Sequence, residues 1–109
     1  MINLKPQHLE IVKHILAEQV PEFEVLAFGS RVNSKVKEFS DLDLVLMTTR
    51  PLPVRRFRRL ANAFSESNLP IKVDVVDWAA ADESFRAIIR LGTEVVQKGA
   101  GKQTEEKID

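Results

Sequence analysis

Two carboxylates, Asp41 and Asp43, stand two residues apart against a run, LDLVLM over residues 42–47, that is apolar but for Asp43 itself. An ionised aspartate isolated in an apolar medium loses several kcal/mol of solvation, so each must lie at an exposed strand end or meet a cation. On a strand, positions 41 and 43 face one way while Leu42, Leu44 and Leu46 face the other. Carboxylates held side by side resist double ionisation unless a positive charge lies between them, and a hard divalent cation that takes oxygen ligands meets that need. For a bare Asp-x-Asp the alternatives are two solvated aspartates at the start of a strand, or a pair that shares one proton.

Ten residues separate Asp41 from a second feature, Gly29-Ser30, which closes the β-favouring run FEVLAF over residues 23–28. A glycine lets backbone approach a ligand closely, and a helix start after it offers free N–H groups and a positive dipole end, a combination that suits phosphate oxygens. Ser30 adds a hydroxyl donor. Arg31 either reaches a phosphate or pairs with a surface carboxylate. A third aspartate, Asp74, sits within IKVDVVDW over residues 71–78, where a carboxylate again needs a reason; it pairs with a basic side chain across the sheet or belongs to the site. Asp77, near the end of that run, is expected to be solvated.

A phosphate cradle beside a two-carboxylate metal platform describes a site for a nucleoside triphosphate with magnesium. The whole pattern, Gly29, Ser30, ten residues, Asp41, Leu42, Asp43, resembles the signature of the DNA polymerase β-like nucleotidyltransferase superfamily. The small size and the Gly-Ser-Arg opening resemble its minimal nucleotidyltransferase (MNT) antitoxins, the partners of HEPN-domain toxins. Ser34 stands where relatives often carry glycine, so the loop backbone is expected to differ there. The resemblance spans roughly residues 9–96.

That resemblance implies roles. Asp41, Asp43 and Asp74 would be catalytic and would hold two magnesium ions, Asp74 being the position that matches the superfamily's third carboxylate. Gly29, Ser30 and Arg31 would bind the nucleotide. The implied activity belongs to a type VII-like toxin–antitoxin pair: transfer of AMP from ATP to a tyrosine of the cognate HEPN ribonuclease toxin, which neutralises it. Two alternatives stand beside it, a non-catalytic antitoxin that acts by binding, and a free-standing transferase for a small-molecule or RNA hydroxyl. A chain this short has no residues left for the acceptor-holding domain of larger relatives, so a HEPN partner or a second copy in a homodimer is expected to complete the site.

The chain has 109 residues, enough for one domain and one core. Sixteen basic and sixteen acidic residues leave no net charge, so no global field draws it to nucleic acid, and direct DNA binding is not expected. The absence of cysteine excludes disulfides, thiolate metal sites and a cysteine nucleophile. No apolar run reaches membrane-spanning length and no leader pattern opens the sequence; the expectation is a cytoplasmic protein.

The elements that must position these residues read as an α/β (α+β) fold, a small mixed sheet of three to four strands with helices packed on one face. Pro6 suits a first helical turn, and Leu9, Val12, Ile15 and Leu16 then share a face of a helix ending near Val20-Pro21. His8 and His14, six apart, do not meet on that helix and are read as surface residues. After two prolines in TTRPLP, the residues Val54, Phe57, Leu60, Ala61 and Phe64 predict a buried stripe on a second helix, whose other face carries Arg55, Arg56, Arg58 and Arg59. Those four are either a solvated face or a docking surface for an acidic partner or nucleic acid. Asp82 caps a third helix with Phe85, Ile88 and Ile89 inward and Gly92 past its end; residues 93–97 form a short edge strand. The domain is expected to run over residues 1–97, with residues 98–109 a mobile tail.

Overall fold

The computed structural model describes residues 4–29 and 41–100. Within them the order is α1 (Pro6–Gln19), β1 (Val25–Phe28), β2 (Leu42–Leu46), α2 (Val54–Ser65), β3 (Val73–Asp77), a short 3-10 turn (Trp78–Ala80), α3 (Glu83–Ile89) and β4 (Thr93–Gln97). The strands form one mixed sheet in the order β3-β2-β1-β4. β1 runs antiparallel to both β2 and β4, and β3 runs parallel to β2. The parallel pair is reached through α2, as a parallel crossover requires.

Strand alternation divides the apolar residues between the two faces of the sheet. Val25 and Ala27 of β1, Leu42, Leu44 and Leu46 of β2 and Val96 of β4 join Val12, Ile15 and Leu16 of α1 and Leu60 and Phe64 of α2 in the main core. Burying each such side chain contributes about 1.5–3 kcal/mol relative to exposure. Leu26, Phe28, Val45 and Val76 point to the other face, where Phe85 and Ile89 of α3 and Trp78 cover them. Phe28 meets Phe85 edge to face, with centroids 6.0 Å apart. Helices on one face therefore describes α1 and α2; α3 packs across the opposite face, since the strands bring apolar residues to both.

Two predicted stripes are narrower than expected. On α2, Leu60 and Phe64 are buried and Phe57 is half-buried, but Val54 is 69% exposed and Ala61 is exposed; Ala63 packs on the core instead. α2 packs against α1 and the edge strand β3, so part of its apolar face overhangs the sheet. On α3, Ile89 is buried while Ile88 is 55% exposed, because a helix of seven residues leans on the sheet through Phe85 and Ile89 alone. The Asp82 cap forms as expected, its carboxylate accepting from the Phe85 N–H at 2.8 Å.

The arginine face of α2 is also divided. Arg56 turns back to α1's end, donating to Glu22 at 2.6 Å and to the Gln19 carbonyl at 3.2 Å, with its guanidinium over the Phe23 ring. That hydrogen bond holds the Glu22 carboxyl below the usual range. Arg55, Arg58 and Arg59 stay exposed. Beyond β4 the chain remains packed through residue 100. Gly99 is buried against the backbone of residues 22–24, where an added Cβ would lie 2.5 Å from the Glu22 carbonyl oxygen, and the Ala100 N–H donates to Pro21. Of the tail expected over residues 98–109, residues 98–100 are described and residues 101–109 lie outside the described residues.

Candidate active site

The three carboxylates enter the fold at one end of the β2–β3 pair. Asp43, the second residue of β2, is the register partner of Asp74, the second residue of β3, and of Phe28 at the end of β1. Register partners project to the same face, so Asp43 stands between Phe28 and Asp74 on the face that α3 partly covers. Asp41 lies two residues before Asp43 and is exposed. Burial pushes the Asp43 carboxyl above the usual carboxylate range, and the negative charges of Asp74 and then Asp41 push it further.

Gly29 follows β1 at the same end with φ +82°, a conformation that side chains other than glycine's rarely adopt. A Cβ built there would lie 2.6 Å from Oδ2 of Asp43. Sequence reasoning assigned this glycine to close backbone approach to a ligand; within the chain, its bare Cα makes room for the Asp43 carboxylate. Ser30 and Arg31, expected on the nucleotide, lie outside the described residues, as do Ser34, Lys35 and Lys37.

Asp74 has a cation beside it, Lys72 Nζ at 3.5 Å, on the same face of its own strand rather than across the sheet. Lys72 is largely and Asp74 partly exposed, so the pair stabilises the fold by under about 1 kcal/mol. Among the described residues no three His, Cys, Asp or Glu side chains are gathered tightly enough to hold a metal ion. The donor set nevertheless fits magnesium: carboxylate oxygens gathered at one end of the sheet, mutual repulsion that a cation would relieve, and a glycine whose missing Cβ makes room for the Asp43 carboxylate.

The other end of the β2–β3 pair holds a polar cluster that sequence reading missed. Asp77, expected to be solvated, is only 9% exposed and accepts from the Thr48 hydroxyl and from the Leu52 N–H at 2.5 Å. Thr48 in turn accepts from the Ala79 N–H at 3.1 Å. These bonds fasten the connection after β2 to the end of β3. Two prolines flanking Leu52 hinted that this connection is stiff, but nothing in the sequence said that Asp77 would be its anchor.

An antiparallel–parallel sheet with a positive-φ glycine closing one strand, an Asp-x-Asp opening the next and a third aspartate in register beside it is the arrangement of a nucleotidyltransferase. The family model described as polymerase beta, nucleotidyltransferase matches residues 10–99, and the chain belongs to that family. It is 48% identical over 97 residues to a probable protein adenylyltransferase MntA of Haemophilus influenzae, covering 89% of this chain and 85% of the relative. Its fold is similar to a chain in a complex of a tri-AMPylated Shewanella oneidensis HEPN toxin with its MNT antitoxin, with TM-score 0.65 and 17% identity over 96% of this chain and 79% of that one. A toxin–antitoxin structure with AMP-PNP matches at TM-score 0.69 and 18% identity, covering 92% of this chain and 86% of that one. No helix among the described residues is long and apolar enough to cross a membrane.

Proposed function

We propose that the protein is the antitoxin of an MNT/HEPN pair and transfers AMP from ATP to a tyrosine hydroxyl of its HEPN-domain toxin. The observation that carries this reading is the register of Asp43 beside Asp74, with Asp41 one alternation before, at the open end of the sheet next to Gly29. The likeness to an adenylyltransferase at 48% identity supports the same chemistry and acceptor class.

In this reading Asp41 and Asp43 would hold the metal on the triphosphate, and together with Asp74 a second. Bound magnesium would neutralise charge on the entering and leaving oxygens and ease loss of the acceptor proton. Gly29 keeps the floor beside Asp43 free of side-chain atoms, and Ser30 and Arg31 are assigned to the leaving phosphates. The acceptor oxygen bonds to the α-phosphorus as the bond to the β-phosphate oxygen breaks; pyrophosphate departs and the hydroxyl proton passes to Asp74.

Intact mass spectrometry of the cognate toxin after incubation with ATP and magnesium tests the proposal. Addition of one or more AMP masses by wild type, and none by Asp43→Asn, is the expected result; an unchanged toxin mass with the wild-type protein overturns it. The Lys72–Asp74 ion pair favours the second reading, in which the aspartates are structural and the toxin is neutralised by contact. That reading predicts full neutralisation by Asp43→Asn.

A further inference from the structure

Lys72 immediately precedes β3, and its ammonium stands 3.5 Å from Oδ1 of Asp74. Its carbonyl accepts from the Leu42 N–H at 2.9 Å, which fixes the Lys72 backbone beside the entry of β2. One step back along the register that pairs Asp43 with Asp74, the neighbours are Asp41 and Lys72. The entries of the two strands thus carry charged residues in two rows, Asp41 with Lys72 and Asp43 with Asp74, and only Lys72 is positive. Among the described residues it is the one basic side chain in ion-pair contact with any of these carboxylates.

A charge-assisted hydrogen bond from nitrogen to oxygen is about 2.7–2.9 Å long. At 3.5 Å, with the lysine side chain 71% exposed, the contact is a loose ion pair at the end of a flexible stem. It offsets part of the repulsion among the aspartates and is broken at little cost. There is also room for the ammonium to leave. β3 is an edge strand, and a groove of about 540 Å3 bordered by Lys72, Asp74, Leu69 and Ile71 lies alongside it.

An ammonium and a divalent cation compete for the same carboxylate oxygen. Magnesium approaches its oxygen ligands to about 2.0–2.1 Å and carries twice the charge, so an ammonium beside one of those ligands is repelled by it. We propose that Lys72 is a positioning residue for the second metal. In the metal-free chain its ammonium takes the place of that ion against Asp74, and it withdraws toward the open edge of β3 when the ion is seated. The assignment of Asp74 to a metal rests on the adenylyl-transfer reading; the exchange of ammonium for metal requires no transfer. Lys72 touches neither nucleotide nor acceptor in this account, and its effect falls on metal affinity.

Mn2+ alone, an ion that favours carboxylate oxygens as magnesium does, is titrated into the full-length protein, and the free ion is read by electron paramagnetic resonance. Binding is thereby measured without nucleotide, toxin or turnover. Lys72→Gln is expected to bind Mn2+ about two- to fivefold more tightly than wild type, the scale of a surface ion pair, with an unchanged circular dichroism spectrum. Lys72→Arg, which keeps the charge, stays within about twofold of wild type. In an Asp74→Asn background the Lys72→Gln change has no effect on Mn2+ affinity, because both residues act on one seat. Equal or weaker binding by Lys72→Gln overturns the proposal, as does the absence of Mn2+ binding by both proteins. The same tightening with and without Asp74, which a general loss of positive charge produces, also overturns it. The mass of the toxin after incubation with ATP and magnesium is read in parallel. Coupling of Lys72 to Asp74 without any AMP added leaves the exchange standing and removes the transfer reading; AMP addition without that coupling does the reverse.

Discussion

Asp43 and Asp77 are aspartates on adjacent strands of one sheet, and their surroundings are opposite. Asp77 is buried at the closed end of β3 and its two oxygens each receive a donor, from Thr48 and from the Leu52 N–H. Asp43, at the open end, has Asp41 and Asp74 near it and a raised carboxyl. A buried carboxylate with its donors in place holds the fold together. One kept beside like charges costs stability, and such a cost is retained where a site requires it.

Substitution separates the two roles most sharply at the level of activity. Asp43→Asn is expected to lower AMP transfer at least about a hundredfold, the scale set by removing one charge-stabilising group, with an unaltered circular dichroism spectrum. The same change should leave the metal-free protein at least as stable, because it removes a carboxylate that burial and its neighbours disfavour. A large loss of thermal stability in Asp43→Asn would place it in Asp77's class.

Asp77→Ala does the opposite. It strands the Leu52 N–H and the Thr48 hydroxyl and should destabilise the protein by about 2–4 kcal/mol in chemical denaturation, while the folded fraction keeps its transfer rate. Loss of activity per folded molecule would break the contrast between the two ends. Gly29→Ala tests both descriptions at once. Its φ of +82° and the 2.6 Å approach to Asp43 Oδ2 predict a cost of about 1–3 kcal/mol and a displaced carboxylate. Reduced transfer by the folded variant, out of proportion to its stability, is the expected outcome.

The smallest effect belongs to the Glu22–Arg56 pair, which is part-exposed and shares no hydrogen bond with either aspartate. Its hydrogen bond lowers the Glu22 carboxyl, so the stability it contributes is present above the unfolded value and is lost as pH falls through the folded one. Glu22→Gln should therefore cost up to about 1 kcal/mol at pH 7, and the difference from wild type should shrink below about pH 4. Equal stability of the two proteins at pH 7 would show that this pair contributes nothing.

Local pattern was enough for the helix starting at Pro6, the strand cores and the Asp82 cap, because period, proline and capping chemistry act within a few residues of chain. The sheet order, the register that sets Asp74 beside Asp43, the packing of α3 across the second face and the overhang of Val54 depend on which strands become neighbours. The same is true of Asp77. From the sequence it reads as the more easily solvated of the two strand aspartates, one residue from the end of its run, and only the arrival of Thr48 and Leu52 from a distant connection makes it a buried anchor. Residue types and spacing within the chain thus determined which carboxylates could do chemistry; the donors and charges that tertiary packing brought to each decided which of them is left unsatisfied.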